Sequence, residues 1–203
     1  NVIQTTRVSE VTAPIIKDSR LRKLSFTGST GVGRRLIADS ADQVLRVSME
    51  LGGNAPIIIF EDADMDKAIA GTMLAKLRNM GEACTAANRI LVHESIAEEF
   101  STKLAAKMAA LKVARGTEDG ANIGPMIDEK SRVSIHALVE DAVSKGATVL
   151  TGGVVPAGRC GGAGPGDRGG RKGQATGGTA ADMAAALVGA RARVDAPAGP
   201  RTG

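Results

Sequence analysis

The sequence predicts an α/β fold, and three features of it lead to this class. A glycine-rich turn at residues 28–33 joins a strand-like run to a helix-like one. Residues 56–60 are wholly apolar, which is typical of a buried parallel strand. Segments with apolar side chains at helical spacing separate the predicted strands. Strands that alternate with helices are the pattern of α/β proteins.

The N-terminal part of the chain is predicted to contain one strand–helix–strand unit. Its first strand carries Leu24 and Phe26 on one face, and a helix follows the glycine-rich turn. This layout presents the amides of a helix N-terminus to an anion, although the turn does not match the dinucleotide-binding pattern G-x-G-x-x-G. The second strand is expected to end where residues 50–53 begin. The predicted elements are a helix near residues 9–17, a strand over 23–27, a helix through about residue 41 and a strand over 45–49.

The rest of the chain carries signals for three further helices. Asp64 is expected to cap the first, whose apolar residues recur at every fourth position. Ser95 and Glu98 form an S-x-x-E capping box ahead of the second. Gly146 is placed to end the third, which begins near residue 129. The apolar stripes are Met65, Ile69, Met73 and Leu77 in the first helix, and Ile96, Phe100, Leu104, Met108 and Leu111 in the second. Strands are predicted over 56–60, 89–93 and 148–150, and a loop at Gly124-Pro125.

Composition and charge narrow the classes of protein that the chain can belong to. Apolar residues make up 43% of 203 residues, which is enough for a core. The net charge is +4, but without a basic stripe on one element no nucleic-acid partner is expected. Two cysteines do not make a disulfide scaffold, so a reduced, cytoplasmic setting is expected. No apolar run reaches the length of a membrane-spanning helix, and no membrane partner is expected.

Two side chains stand out as candidates for chemistry. Cys84 lies just past a predicted helix, with Arg78 and Arg89 near it in sequence, and positive surroundings favour the nucleophilic thiolate. Glu50 follows an apolar strand and precedes two glycines, which is a suitable place for a general base. Local features leave the alternatives open, because a lone cysteine is more often a small buried hydrophobe and an isolated loop glutamate is more often simply solvated.

No metal site is expected. The acidic residues near the start of the Asp64 helix are explained by capping and by the helix dipole. His93 and His136 have no cysteine or histidine at ligand spacing, which excludes the usual zinc patterns.

Three motifs in register resemble the aldehyde dehydrogenase superfamily. The resemblance covers about residues 1–153 and is closest to the succinate-semialdehyde dehydrogenases, through stretches such as Lys76-Leu77-Arg78-Asn79. Together the motifs are more specific than any one of them. They are Phe26-Thr27-Gly28-Ser29-Thr30-x-x-Gly33, then Glu50-Leu51-Gly52-Gly53-Asn54, then Gly81-x-x-Cys84.

The resemblance implies a role for each matched residue. Cys84 would attack the carbon of a small-molecule aldehyde, and its backbone N–H would help to hold the oxyanion. Glu50 would activate the water that hydrolyses the resulting thioester. Arg78 would grip a carboxylate at the far end of the substrate, a task that suits the guanidinium fork. The residues that would border the cofactor, NAD or NADP, are Gly28, Ser29, Gly33, Leu51 and Gly52.

The same resemblance implies a domain organisation. Residues 1–50 would be the C-terminal part of a Rossmann-like cofactor-binding domain, and residues 51–153 the first half of a catalytic domain; the parent enzyme would be a homo-oligomer. Two other hypotheses stay open at this point. One is an inactive, truncated or frameshifted remnant of such an enzyme. The other is a nucleic-acid-binding protein that uses the basic patch 168–173, a function that the lack of interleaved aromatics in the patch disfavours.

Residues 154–203 differ in character from the rest of the chain. They contain no Ile, Phe, Glu, Asn, Ser or His and are dominated by Gly, Ala, Arg and Pro. Such a segment buries too little apolar area to offset its ordering entropy. We therefore expect a disordered tail, apart from a short helix around residues 182–194.

We predict that the chain after about Gly153 was read in a shifted frame. Gly, Ala, Arg and Pro are the residues whose codons are built from G and C alone in their first two positions. A GC-rich gene read out of frame therefore gives this mixture, whereas evolved linkers favour Ser, Glu or Gln. Translation of the coding DNA in the two other frames is the check. If neither frame yields an aldehyde dehydrogenase continuation with a Glu-Phe-Gly-Pro-like segment, the prediction is wrong.

Overall fold

The chain forms an α/β structure, which confirms the predicted class. The computed structural model describes residues 1–126, 128–154 and 188–189. The chain divides into two compact units, Asn1–Asn54 and Ala55–Gly203, and each is described by itself.

The first unit is a helix followed by one βαβ motif. Its strands β1 and β2 pair in parallel, from Lys23 opposite Arg46 to Gly28 opposite Leu51. Parallel strands need a crossover between them, and helix α2 supplies it. The elements are α1 (Val8–Ile16), β1 (Lys23–Gly28), α2 (Thr30–Ser40), a short 3-10 turn (Ala41–Gln43) and β2 (Arg46–Leu51).

The predicted end of the second strand is wrong by two residues. We expected Glu50 and Leu51 to break the strand, but both belong to β2. The reason is tertiary: Thr27 and Gly28 at the end of β1 pair with them, so the ladder continues as far as β1 does. Glu50 is therefore held by a strand rather than by a loop.

The second unit opens with another βαβ motif and adds a helix behind it. Strands β3 and β4 pair in parallel, with Ile57 opposite Ile90 and Ile59 opposite Val92. The elements are β3 (Ala55–Ile59), α3 (Met65–Leu77), an irregular turn (Arg78–Gly81), β4 (Ala87–Val92) and α4 (Glu94–Ala109). The core lies between this sheet and the two helices, and its buried members are Ile59, Ile69, Phe100, Leu104 and Met108.

Both predicted apolar stripes face this core. Ile69 is buried, and Met65, Met73 and Leu77 pack against the core from the same helix. In α4, the buried Phe100, Leu104 and Met108 are spaced four apart, while Leu111 follows the helix end at Ala109.

The run 56–60 pairs in parallel as predicted, but it is not buried on both faces. Ile58 is 61% exposed and Phe60 is 63% exposed, whereas Ile59 between them is 6% exposed. Within the residues described, helices cover one face of this two-stranded sheet, so alternate side chains stay in solvent.

Of the two predicted N-terminal helix caps, one is confirmed and one is wrong. Asp64 caps α3, because its side chain accepts a hydrogen bond from the backbone N–H of Lys67 at 3.0 Å. Helix α4, however, is capped by His93, whose ring Nδ1 accepts from the N–H of Ser95. The helix begins one residue before Ser95, so Ser95 and Glu98 lie inside it and form no capping box.

The last described elements are α5 (Glu129–Ser144), β5 (Thr148–Val149) and β6 (Val188–Gly189). Gly146 follows α5 with φ at 92°, the conformation expected of a helix-ending glycine. The helix predicted around residues 182–194 is wrong at its centre, because Val188 and Gly189 pair antiparallel with β5. The remainder of that predicted helix and of the predicted disordered tail lies outside the described residues. Among the helices described, none combines the length and the apolar character that crossing a membrane requires.

Candidate functional site

Cys84 is an exposed, free thiol in the connection between α3 and β4. A turn surrounds it, in which the N–H of Ala86 donates to the carbonyl of Ala83 at 3.0 Å. Ala86 and Ala87, two and three residues after it, are 4% and 2% exposed, so the thiol lies just before the chain enters the core. The alternative of a small buried hydrophobe is wrong for Cys84. Cys160 lies outside the described residues.

A side-chain hydrogen bond closes the base of the connection that carries Cys84. The Nζ of Lys76, near the end of α3, donates to Oδ1 of Asn88 in β4 at 2.7 Å. Burial lowers the pKa of the Lys76 ammonium from its ordinary value. The two ends of the connection are thus joined by a solvent-exposed polar contact.

Helix α3 ends in an unusual backbone. Arg78 follows the helix in an extended conformation and is exposed. The next two residues, Asn79 and Met80, both have positive φ, at 52° and 59°, and Gly81 follows at 79°. This sharp reversal separates the exposed Arg78 from Cys84.

In the first unit, the predicted cofactor residues gather at one end of the βαβ motif. Gly28 ends β1, and Ser29 caps α2 by accepting from the N–H of Val32 at 3.4 Å. The first turn of α2 carries no acidic side chain, and residues 28–32 are exposed. A helix N-terminus of this kind attracts an anion through its free amides and its dipole. The residues present therefore fit the pyrophosphate of a dinucleotide.

Gly33 lets α2 lie close to the end of β2. A Cβ at this position would come within 2.6 Å of Cδ2 and 3.1 Å of Cδ1 of Leu51. Gly33 is buried, whereas Gly31 on the same helix is exposed and has nothing within 4 Å of its Cβ position. Gly33, Leu51 and the cap Ser29 are thus brought together, and Gly52 follows directly in an exposed position.

Glu50 lies in β2 opposite Thr27, and it is exposed. Leu51 after it is half-buried and points to α2, in keeping with alternation along a strand. Glu50 belongs to the first compact unit and Cys84 to the second, and each is placed here only within its own unit. Across the described ranges, no group of three or more His, Cys, Asp or Glu side chains is arranged to hold a metal ion.

The sequence matches a known family over most of its length. A profile described as "Aldehyde dehydrogenase family" matches residues 1–163. The chain belongs to the aldehyde dehydrogenase family. The match includes Ser29, Glu50 and Cys84 and extends beyond Gly153, where the resemblance was expected to stop.

Individual aldehyde dehydrogenases agree with this assignment. The chain is 59% identical over 153 residues to the succinate-semialdehyde dehydrogenase of Paenarthrobacter nicotinovorans, covering 75% of this chain and 34% of the relative. The structure of a succinate-semialdehyde dehydrogenase from Burkholderia pseudomallei matches with a TM-score of 0.73 and 46% identity, over 77% of this chain and 32% of that one. The structure of betaine aldehyde dehydrogenase from Staphylococcus aureus in complex with NAD+ matches with a TM-score of 0.68 and 30% identity, over 72% and 29%. The chain thus spans about a third of the length of these relatives.

Sequence reasoning did not single out the residues that shape the Cys84 connection. Lys76, Asn79, Met80 and Asn88 act through individual side-chain contacts that no composition or period reveals. One signal was present: Asn79 and Gly81 are residue types that accept positive φ, and they flank Met80 just after a predicted helix end.

We predict that Gly33→Ala is less stable than Gly31→Ala by about 1–2 kcal/mol, the lower part of the range for overpacking. Both changes gain the same helix propensity, but only the methyl at position 33 meets Leu51. Urea unfolding followed by circular dichroism measures the difference. In the double variant Gly33→Ala/Leu51→Ala, the shorter side chain at position 51 leaves space for the methyl group at position 33. Equal stabilities of Gly33→Ala and Gly31→Ala would contradict the assignment of this contact. So would strictly additive effects of the two changes in the double variant.

Proposed function

We propose that this chain carries the nucleophile, the base and part of the cofactor site of an NAD(P)-dependent aldehyde dehydrogenase that acts on succinate semialdehyde. The observation that carries the proposal is the exposed Cys84 thiol in the connection between α3 and β4, whose ends are joined by the Lys76–Asn88 hydrogen bond, within a chain that belongs to this family. Residues 1–50 are assigned to the cofactor-binding domain and residues 51–153 to the catalytic domain. The division into compact units near residue 54 supports this assignment.

The proposed first step belongs to Cys84. Its thiolate attacks the carbonyl carbon of the aldehyde, forming a C–S bond while the carbonyl π pair moves to oxygen. The backbone N–H of Cys84 helps to hold this oxyanion, as fixed donors do in acyl transfer. Exposure supports this role, because an aldehyde can reach the thiol without any rearrangement of the core.

The cofactor site is assigned to the end of the first βαβ motif. Ser29 and the free amides of α2 would hold the pyrophosphate, and Gly28, Gly33, Leu51 and Gly52 would shape the surface beside it. When bound, NAD(P)+ would supply the hydride acceptor. The carbon attached to Cys84 loses its hydride and its C=O bond re-forms, so that Cys84 carries the acyl group as a thioester. The NAD+ complex of the related betaine aldehyde dehydrogenase supports this cofactor class.

Glu50 is assigned the second half of the reaction. Its carboxylate takes a proton from water, and the hydroxide attacks the thioester carbon. The C–S bond then breaks, releasing the carboxylic acid and restoring the thiolate. Placement in a paired strand supports the role, because a strand fixes the direction of the side chain more firmly than a loop does.

Arg78 is assigned the selection of the substrate. Its exposed guanidinium, at the end of α3, offers a fork that binds a carboxylate through two hydrogen bonds. The relatives named succinate-semialdehyde dehydrogenase support this substrate class, since their named substrate carries such a carboxylate.

An inactive remnant is the second candidate, and one observation favours it. Ile58 and Leu91 are paired across β3 and β4, and they are 61% and 54% exposed on the face away from the core. An uncovered apolar sheet face promotes association between chains. Formation of NADH or NADPH from succinate semialdehyde by the purified 203-residue chain separates the two: turnover excludes the remnant, and a folded chain without turnover excludes the dehydrogenase function for this chain alone.

We predict that succinate semialdehyde protects Cys84, and not Cys160, from iodoacetamide. Reversible thiohemiacetal formation removes the free thiolate that iodoacetamide needs. Trypsin yields Cys84 in the peptide 79–89 and Cys160 in the peptide 160–168, so mass spectrometry follows the two thiols separately. Equal protection of both cysteines, or of neither, would remove Cys84 from its proposed role.

We predict that Arg78→Ala weakens this protection by succinate semialdehyde roughly 10–100-fold, the range that follows from losing hydrogen bonds to a charged group. Protection by butanal, which lacks the far carboxylate, should change less than about twofold. Arg78→Lys is the matched control, because it keeps the charge but loses the planar fork. The same loss for both aldehydes would count against a contact with the carboxylate.

A further inference from the structure

The connection that carries Cys84 contains three consecutive residues with positive φ. These are Asn79 at 52°, Met80 at 59° and Gly81 at 79°. Asparagine and glycine adopt this left-handed region readily. Methionine does not, because its Cβ crowds the following carbonyl oxygen. The backbone at Met80 therefore persists only if contacts elsewhere hold it there.

Local contacts hold the residues beside Met80. The N–H of Glu82 donates to the carbonyl of Asn79 at 2.9 Å, and the Asn79 side-chain amide donates back to the carbonyl of Glu82 at 3.0 Å. This reciprocal pair closes the turn just before Cys84. It does not involve the side chain of Met80.

The Met80 side chain contacts a loop that is distant in sequence. Its Sδ accepts a hydrogen bond from the backbone N–H of Gly124, 44 residues away, at 3.2 Å. The contact is half-buried, and Gly124 is close-packed against it: a Cβ at 124 would lie 3.1 Å from Sδ. A glycine at 124 thus lets the thioether approach the amide.

We propose that Met80 is a positioning residue for Cys84, which it fixes by holding the strained turn against the Gly124 loop through its thioether. The inference rests on the proposed role of Cys84 as nucleophile. It adds to the site a residue that acts through Cys84 and touches neither aldehyde nor cofactor. The turn has two anchors: the Lys76–Asn88 hydrogen bond closes its base, and the Met80–Gly124 contact fixes its apex.

Two variants of matched size test the sulfur acceptor. Met80→Leu keeps an apolar side chain of similar volume but has no acceptor. Met80→Gln keeps the chain length and places an amide oxygen within one bond of the sulfur position. Both retain a Cβ at positive φ, so the backbone strain is the same in each.

The first readout does not depend on catalysis. Hydrogen exchange of the amides at residues 81–86, measured in the 203-residue chain, should be roughly 3–10-fold faster in Met80→Leu, the range for loss of one hydrogen bond. Met80→Gln should stay within about twofold of the wild type. Equal exchange in all three chains, or equal acceleration in both variants, would overturn the proposal.

The second readout separates positioning from general loss of structure. In Met80→Leu, protection of Cys84 by succinate semialdehyde should weaken roughly 10-fold, because misplacement of a reacting group is costly. The rate of iodoacetamide labelling without aldehyde should change less than about twofold, since that reaction needs only an exposed thiolate. A parallel change in both rates would indicate a merely structural role. If the wild type shows no protection at all, the proposed function fails, and hydrogen exchange still decides the anchoring by Met80.

A third variant covers the case in which Met80→Leu does not fold. Gly124→Ala keeps Met80 but places a methyl group 3.1 Å from its Sδ, so the thioether must shift by a few tenths of an ångström and its hydrogen bond to the Gly124 amide is weakened. It should accelerate exchange at residues 81–86 as Met80→Leu would. Unchanged exchange in a folded Gly124→Ala chain would overturn the proposal.

Discussion

Parallel strand pairing is the constraint on which both described units depend. Parallel neighbours cannot be joined by a tight turn, so each pair needs a helix between its strands. Helix α2 meets this need between β1 and β2, and α3 meets it between β3 and β4. Each crossover has two ends where the backbone changes direction. Ser29, Arg78 and Cys84 lie at such ends, whereas Glu50 lies near the far end of β2.

The backbone changes direction in different ways in the two crossovers. Between β1 and α2 the chain turns through small residues, and Gly33 then lets the helix lie against Leu51. Between α3 and β4 it reverses through Asn79, Met80 and Gly81 at positive φ. The first solution leaves helix amides open to an anion. The second presents an exposed thiol three residues before the buried start of β4.

Some local elements followed from side-chain pattern alone. The buried residues Phe100, Leu104 and Met108 of α4 were predicted from the helical spacing of apolar residues alone. The cap at Asp64 was predicted from a short side chain with a hydrogen-bond acceptor just before such a segment. The capping box at Ser95 failed because the histidine before it also offers an acceptor, and pattern alone does not rank the two. The β2 boundary failed because its length is set by β1, a partner that lies more than 20 residues earlier.

The sequence by itself determined the α/β class, the family and the candidate residues Cys84, Glu50 and Arg78, because strand and helix periods are local and three motifs in register are specific. Only the tertiary structure decided that Glu50 sits in a paired strand, that Gly33 faces Leu51 and that Met80 reaches Gly124. These are contacts between residues 18 to 44 positions apart. They depend on how the chain folds back on itself in three dimensions, and no period or motif in the sequence encodes contacts over such separations.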